Sequence, residues 1–287
     1  MLWILFAFGS AFFAGITAVL AKIGIEHINS TLATAVRTVV VLAFSWLMVF
    51  VVGSQNTIGQ ITGNTLLFLI LSGLSTGASW LCYFKALQLG DVNKVAPIDK
   101  SSTVLTILLA FLFLGEPISL PQILGVLGIG IGTLLMISKK EVDQEKPQSK
   151  SWLLFALLSA VFASLTSIFG KMGVENVESN LGTAIRTIVV LAMAWAMVFV
   201  TGEQKDLGKI DRKSAFFLLL SGITTGLSWL CYYRALQDGL ASVVVPIDKL
   251  SILVTIVFSG LVLKEKLSRK AGMGLALILA GTGAMLL

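Results

Sequence analysis

The chain consists of one sequence written twice. Shifting residues 1–138 by 149 positions places them on residues 150–287 with 64 identities in 138 pairs and no gap. A repeat of this kind predicts two copies of one structural unit. Between the copies, residues 139–150 are hydrophilic and include Pro147, which is typical of a solvated linker. The predicted domains are therefore 1–138 and 151–287, joined by the linker 139–150.

Each copy contains five apolar segments long enough to cross a bilayer as α-helices. The composition agrees, because 56% hydrophobic and 13% charged residues leave too few charges to cover a soluble enzyme or a nucleic-acid-binding protein. We therefore predict an all-α, polytopic membrane protein with ten transmembrane helices. The predicted segments are 2–21, 32–52, 66–87, 93–114 and 120–137, followed by 151–170, 181–201, 215–236, 242–263 and 270–286.

The odd number of segments in each copy has a topological consequence. After five crossings the chain is on the other side of the membrane, so the second copy must enter from the side opposite to the first. The two copies are thus predicted to be inverted repeats, related by an axis that lies in the membrane plane. Secondary transporters are commonly built in this way.

The distribution of Lys and Arg predicts the orientation of the chain. Apart from the four in the candidate charged sets, 17 Lys and Arg lie in loops or at the helix ends beside them. Fifteen of these are on the side reached by the loops after odd-numbered segments, whereas only Lys171 and Arg234 lie on the opposite side. Positively charged loops are typically cytoplasmic. Both termini are therefore predicted to face away from the cytoplasm.

Two motifs, in this order and in a ten-segment chain, suggest a family. The third segment ends in Trp80-Leu81-Cys82-Tyr83-Phe84-Lys85-Ala86-Leu87, and Leu114-Gly115-Glu116-Pro117-Ile118-Ser119 precedes the fifth. The chain resembles the EamA family of the drug/metabolite transporter superfamily. This resemblance implies a transporter whose third and fourth helices in each half help to line a central cavity. Members of the superfamily commonly have cytoplasmic termini, so the orientation predicted from the charges departs from the family pattern.

Charged side chains inside membrane helices are costly and are therefore candidates for function. The first copy has Arg37, Asp99 and Lys100, and the second has Arg186, Asp248 and Lys249. Arg37 and Asp99 are predicted to pair across two helices, which leaves Lys100 for a ligand or for lipid headgroups. Each set has one excess positive charge, which favours an anionic or zwitterionic solute. The alternative is that the long cationic side chains extend to lipid phosphates and that Asp99 is their local counter-ion.

Proline and aromatic residues near these charges complete the predicted site. Pro97 and Pro246 each remove a backbone donor and so release a carbonyl group, for a ligand or simply at a kink. A wall of the cavity is predicted to contain Trp80, Tyr83, Trp229 and Tyr232, for which packing or anchoring at the membrane interface is the alternative. Close helix contacts are predicted at Gly73, Gly77, Gly128, Gly132, Gly222 and Gly226. Glu116 and Glu265 are each expected to cap the helix that follows.

The sequence favours a secondary transporter for a small anionic or zwitterionic metabolite, with amino-acid-like solutes preferred. The alternatives are a proton-coupled exporter of drugs and cations, or a membrane scaffold subunit that transports nothing. No enzyme activity, metal or cofactor is expected, because no catalytic motif or nucleotide-binding loop occurs and His27 has no ligand-like companions. The expected partners are the lipid bilayer and a small solute rather than a nucleic acid, with a homodimer left open, and the expected location is the bacterial inner membrane.

The predicted orientation can be tested on intact cells. A cysteine introduced beside Ser149 in the linker should resist a membrane-impermeant thiol reagent added from outside, because the linker is expected to be cytoplasmic. Rapid labelling at this position would show that the orientation is reversed.

Overall fold

The computed structural model describes residues 2–25, 28–89, 98, 101–136, 151–262 and 269–285. Within these residues the secondary structure is helical, with no strand. The helices are α1 (Leu2–Gly24), α2 (Ser30–Val52), α3 (Gly63–Leu89), α4 (Ser102–Leu114), α5 (Leu120–Met136), α6 (Ser151–Val174), α7 (Ser179–Thr201), α8 (Arg212–Asp238), α9 (Ala241–Asp248), α10 (Ser251–Val262) and α11 (Arg269–Ala284). Two 3-10 helices, Ser54–Gln60 and Glu203–Lys209, follow α2 and α7.

The apolar segments occur in the predicted order and confirm the fold class. In the part of the chain that the structure describes, seven helical segments are long and apolar enough to cross a membrane, and three are shorter. The shorter segments are Ser102–Leu114, Leu120–Gly132 and Gly272–Ala284. The protein is therefore an all-α, polytopic membrane protein. The predicted linker, 139–150, lies outside the described residues, so the domain boundaries stay a prediction.

The helices form two compact units, and each unit contains residues from both copies. The first unit comprises Met1–Leu74, Phe169–Gly239 and Ile247–Glu265. The second comprises Ser75–Ile168, Leu240–Pro246 and Lys266–Leu287. The sequence repeat is therefore not the packing unit, because helices of the two copies pack against each other within both units.

In the first unit, α1 of the first copy packs antiparallel to α8 of the second. Ser10 Oγ lies 3.3 Å from Ser228 Oγ, and Thr17 Oγ1 donates to Thr224 Oγ1 at 2.8 Å. Closer to the end of α1, Gly24 packs against Leu218. Residue numbers therefore rise along α1 while they fall along α8.

Many of these contacts occur twice, with the copies exchanged. In the first unit, Gly24 of the first copy packs against Leu218 of the second. Their repeat equivalents, Gly173 of the second copy and Leu69 of the first, also pack together. In the second unit the Gly125–Gly281 contact between α5 and α11 returns as Gly132–Gly274. Exchanged pairs of this kind are the signature of a two-fold relationship between the partners. They identify the copies as inverted repeats, as the odd number of segments predicts.

The ninth predicted segment, 242–263, is not one continuous helix. The helix ends at Asp248, and a new helix begins at Ser251. Pro246 lies inside α9 and has no N–H to donate to the carbonyl group four residues before it. At the end of α9 the chain closes a tighter turn, in which Leu250 N donates to Ile247 O at 2.9 Å. The first copy has the equivalent turn, where Ser101 N donates to Ile98 O at 3.1 Å.

Glu116 was expected to cap α5, but its carboxylate caps a helix of the other copy. Glu116 Oε1 accepts from Ala241 N at 2.8 Å, and Oε2 accepts from Ser242 N at 2.9 Å. At the start of α5, Ser119 N donates to Gln122 Oε1 and Gln122 N donates to Ser119 Oγ, which is a capping box. The expectation that Glu116 caps α5 was wrong. Ser119 and Gln122 already cap α5, so the Glu116 carboxylate is available to the start of α9.

The close helix contacts predict opposite effects of two neighbouring alanine substitutions in α5. A Cβ at Gly132 would lie 2.5 Å from Gly274 O and 2.8 Å from Ile278 Cγ1, whereas a Cβ at Gly130 meets nothing within 4 Å. Gly132→Ala should therefore lower the free energy of unfolding by about 1–3 kcal/mol. Gly130→Ala should leave it unchanged or raise it by up to about 1 kcal/mol, because alanine favours helix. Unfolding in detergent micelles measures both, and equal effects would contradict the close packing.

Candidate functional site

Arg186 is the most deeply buried cation that the structure describes. Only 2% of its surface is exposed, and its Nε donates to Ser72 Oγ at 2.9 Å. The guanidinium carbon lies 5.0 Å from the centre of the Trp229 ring and 4.7 Å from that of Tyr233. A guanidinium is planar and weakly hydrated, so aromatic faces can replace much of the water that a buried cation loses. Helices α3, α7 and α8 thus build a stabilised positive charge in the first unit.

The Tyr233 ring contacts this cation, next to Tyr232, which the sequence analysis placed on the cavity wall. Tyr233 is buried and its hydroxyl is hydrogen-bonded to Ser72, so one serine contacts both Arg186 and Tyr233. Tyr232 packs edge-on against the Tyr233 ring, with the ring centres 5.2 Å apart. Trp229 and Tyr233 are four residues apart and share a helix face. That spacing was visible in the sequence, as was the replacement of Phe84 by Tyr233 in the second copy.

Asp248 lies at the end of the broken helix and contacts α1. Ser10 Oγ donates to Asp248 Oδ1 at 2.6 Å, and Ser228 Oγ in turn donates to Ser10 O at 3.1 Å. Ser10 and Ser228 thus link Asp248 to α8, the helix whose Trp229 and Tyr233 rings contact Arg186. The carboxylate and the guanidinium are therefore both associated with α8 in the first unit. Lys249 follows in the turn and is partly exposed.

The equivalent arginine of the first copy has a looser environment. Arg37 Nη1 donates to Ser221 Oγ at 3.4 Å, and Arg37 is half-buried. Ser221 and Ser72 are themselves repeat equivalents, so each arginine binds the same serine position in the other copy. The serines were not predicted, because a serine in an apolar helix carries little signal. Arg37 and Arg186 therefore differ in exposure, although both contact the same serine position.

Several predicted residues lie elsewhere or cannot be placed. Pro97, Asp99 and Lys100 lie outside the described residues, and with them the predicted Arg37–Asp99 pair. Pro246 is buried inside α9. In the second unit, Trp80 is half-buried on α3. Tyr83 packs in an apolar cluster with Ala86, Ala156, Ile98, Trp152 and Phe155.

A cavity of about 340 Å³ opens at one end of the first unit. Its lining comes from the loop after α2, the loop between α6 and α7, and the last turn of α8. Because these segments follow the second, sixth and eighth predicted crossings, a ten-helix topology places them all on the same side of the membrane. Gln237 of the lining lies one helical turn, about 6 Å, beyond Tyr233 on α8. The lining residues are Thr57, Gln60, Ile61, Glu175, Asn176, Val177, Glu178, Arg234 and Gln237.

Polar contacts fix the rim of this cavity. Gln237 Nε2 donates to Val174 O at 2.6 Å and to Val177 O at 2.7 Å, which ties α8 to the α6–α7 loop. Arg234 forms an ion pair with Asp238 at 3.1 Å, and Glu178 Oε2 accepts from Leu181 N at 3.1 Å as the cap of α7. The cavity therefore has polar walls and is adjacent, along α8, to the residues that bracket Arg186.

The fold agrees with the comparison against protein families. The model of the EamA-like transporter family matches residues 1–138 and again residues 150–287. The chain belongs to the EamA-like transporter family. It is thus a membrane transporter with ten apolar segments, in which the family unit occurs twice. The family resemblance noted in the sequence is confirmed.

Similar proteins include two that are about one copy long. An uncharacterised transporter of Sinorhizobium sp., named for its position in the cobO 3′ region, is 50% identical over 134 residues, which are 47% of this chain and 95% of that protein. An uncharacterised protein of Methanocaldococcus jannaschii is 27% identical over 135 residues, or 45% of this chain and 91% of that protein. A solved crystal structure has the same fold, with a TM-score of 0.81 at 18% identity over 99% of this chain and 96% of that one.

The two arginines predict unequal effects of the same substitution. Lysine can neither stack between two rings nor repeat the Nε hydrogen bond, so Arg186→Lys should lower the free energy of unfolding by about 2–4 kcal/mol. Arg37→Lys should cost less than about 1 kcal/mol, because its hydrogen bond is longer and its burial incomplete. Arg234→Lys, in an ion pair whose side chains are 43% and 39% exposed, is a control with almost no expected effect. Equal losses at Arg37 and Arg186 would contradict the difference in burial.

Proposed function

We propose that this transporter is a secondary carrier of a small anionic or zwitterionic metabolite, with amino-acid-like solutes preferred. The substrate site is proposed to lie around Arg186, Trp229, Tyr233 and Asp248 in the first unit. Transport, rather than catalysis, is the proposed activity of this site.

The observation that supports this proposal is the Arg186 guanidinium held between two aromatic rings. A buried cation with hydrogen-bonding hydroxyl groups nearby is suited to a carboxylate, because charge-assisted hydrogen bonds are strong where water is excluded. Asp248 adds a negative charge to the proposed site, which suits the ammonium group of a zwitterion. The aromatic faces would pack against an apolar substituent of the solute. The proposed substrate thus has a carboxylate, an amine and a small apolar part.

The proposed transport mechanism is alternating access between the inverted copies. Arg186 is enclosed whereas its equivalent Arg37 is half-buried, and an exchange of these two environments would move the exposed side of the site. The cavity bounded by Arg234 and Gln237 is the proposed route of entry to the site. The charged sets, including Asp99 and Lys100 of the first copy and Lys249 of the second, would act as the two gates.

A multidrug exporter for lipophilic cations is the second candidate, and the same observation argues against it. A site that already contains a buried guanidinium repels cationic solutes. What favours this candidate is the Asp248 carboxylate that Ser10 contacts from α1, since proton-coupled exporters need a carboxylate in the cavity. A scaffold subunit without transport would have no use for an enclosed charge of this kind.

The orientation and the setting complete the proposal. The termini are proposed to face away from the cytoplasm in a bacterial inner membrane, which places the cavity on the non-cytoplasmic side. The proposed partners are the bilayer and the solute, and the unit of function is proposed to be a monomer or a homodimer.

Ligand-induced stabilisation in detergent tests the proposed substrate class. A panel of neutral and acidic amino acids, dicarboxylates and tetraphenylphosphonium should contain an amino acid or organic anion that raises the melting temperature. A ligand at a hundred times its dissociation constant adds about 2.7 kcal/mol to the stability.

Arg186→Gln should abolish this ligand shift, whereas Lys209→Gln, in an exposed ion pair with Asp206, should preserve it. Uptake of the same solute into proteoliposomes then confirms transport. A shift produced by tetraphenylphosphonium that survives Arg186→Gln would favour the cation exporter, and a ligand that binds without uptake would favour the scaffold.

A further inference from the structure

Glu116 makes a contact between the copies that the proposed substrate site does not use. This carboxylate belongs to the first copy, is only 4% exposed, and accepts the consecutive N–H groups of Ala241 and Ser242 in the second. Gln122 strengthens the contact, because its Nε2 donates to Ser242 Oγ at 3.4 Å. All four residues belong to the second unit. The start of α9 is thus attached to the α4–α5 region at three points.

The helix that Glu116 caps depends on external contacts more than its neighbours do. Helix α9 has eight residues, and Pro246 interrupts its ladder of hydrogen bonds. The first four N–H groups of any helix lack partners within the helix, and helices much shorter than about 12 residues are marginal by themselves. Glu116 supplies two of the missing acceptors. Removal of this carboxylate should therefore loosen α9 before it loosens a long helix.

The same helix ends at a residue of the proposed gate. Asp248 is the last residue of α9, and the turn at Lys249 and Leu250 separates it from α10. A change in how the start of α9 is held therefore acts on a segment that carries Pro246 and Asp248. Because the helix is broken after Asp248, α9 is a short segment that can move separately from α10.

The repeat itself indicates that this glutamate has a specific role. The loop after the fourth segment differs between the copies, with Gly115 and Pro117 replaced by Lys264 and Lys266. Glu116 nevertheless returns as Glu265 between these changes. Glu265 lies outside the described residues.

We propose that Glu116 is a positioning residue that latches the start of α9 and that its release accompanies the movement of the gate at Asp248. The gating part of this proposal rests on the transport mechanism proposed above. In the latched state both carboxylate oxygens accept backbone N–H groups, and α9 is held against the first copy. When the carboxylate is withdrawn, α9 can tilt or unwind at its N-terminus, which moves Pro246 and Asp248.

Hydrogen exchange of the full-length protein in detergent tests the latch without any substrate. Glu116→Gln keeps the shape of the side chain but replaces one acceptor oxygen with a donor, so one N–H group of α9 loses its partner. The amides of residues 241–245 should then exchange about tenfold faster or more, while those of α2 and α7 keep their rates. Glu116→Asp, which retains the charge, should fall between this variant and the native protein, and it replaces Glu116→Gln if that variant does not fold.

Glu178→Gln is the matched control, because Glu178 is also a carboxylate cap but belongs to a long helix of its own copy. Glu178 Oε2 accepts from Leu181 N, and α7 has 23 residues. This variant should loosen the start of α7 and leave α9 unchanged. Unaltered exchange of α9 in Glu116→Gln, or an equal rise in every helix, would overturn the latch.

Thiol accessibility separates a latch from an ordinary helix cap. Leu250→Cys, placed in a background in which Cys82 and Cys231 are serine, reports on the turn beside Asp248, where Leu250 is buried. Glu116→Gln should make maleimide label position 250 about threefold faster, which corresponds to a shift of about 0.6 kcal/mol in the opening equilibrium. Glu178→Gln should leave the rate of labelling unchanged. Faster exchange of α9 with unchanged labelling at position 250 would show that Glu116 only caps the helix. Neither assay involves transport, so a negative result here leaves the proposed substrate class untouched.

Discussion

The structure depends on the satisfaction of polar groups where no water is available. Within a bilayer each backbone N–H and C=O needs a partner in the protein, which limits the spanning segments to helices and makes any break in a helix costly. Hydroxyl groups meet this need between helices, as where Ser10 contacts Ser228 and Thr17 contacts Thr224. Glycines such as Gly125 and Gly281 allow the backbones to approach closely enough for dispersion forces to hold the helices together.

The inverted relationship of the copies explains why these contacts occur in pairs. A two-fold axis turns every contact between residue i of one copy and residue j of the other into a second contact with the copies exchanged. Gly24–Leu218 and Leu69–Gly173 are such a pair, and so are Arg37–Ser221 and Arg186–Ser72. Each favourable contact between the copies can therefore occur twice. Two similar proteins are about as long as one copy, because 134 and 135 residues of this chain match 95% and 91% of their lengths.

The differences between equivalent positions are as informative as the similarities. Arg186 is bracketed by Trp229 and Tyr233 and is fully enclosed, whereas Arg37 is half-buried with a longer hydrogen bond. This difference is the basis of the alternating access proposed above. Helix α9 is short and ends in a turn, and the Glu116 carboxylate of the first copy caps its start.

The sequence by itself determined the repeat, the ten apolar segments, the inversion and the candidate charges, because these follow from composition and from order along the chain. It did not determine which groups meet. Arg186 and Ser72 are 114 positions apart, Glu116 and Ala241 are 125, and Ser10 and Asp248 are 238. A hydropathy pattern shows which residues form a helix, but not which residues of other helices they contact. The contact of Tyr233 with Arg186 and the cap on α9 were decided by tertiary packing, since each depends on groups that only the arrangement of the two copies brings together.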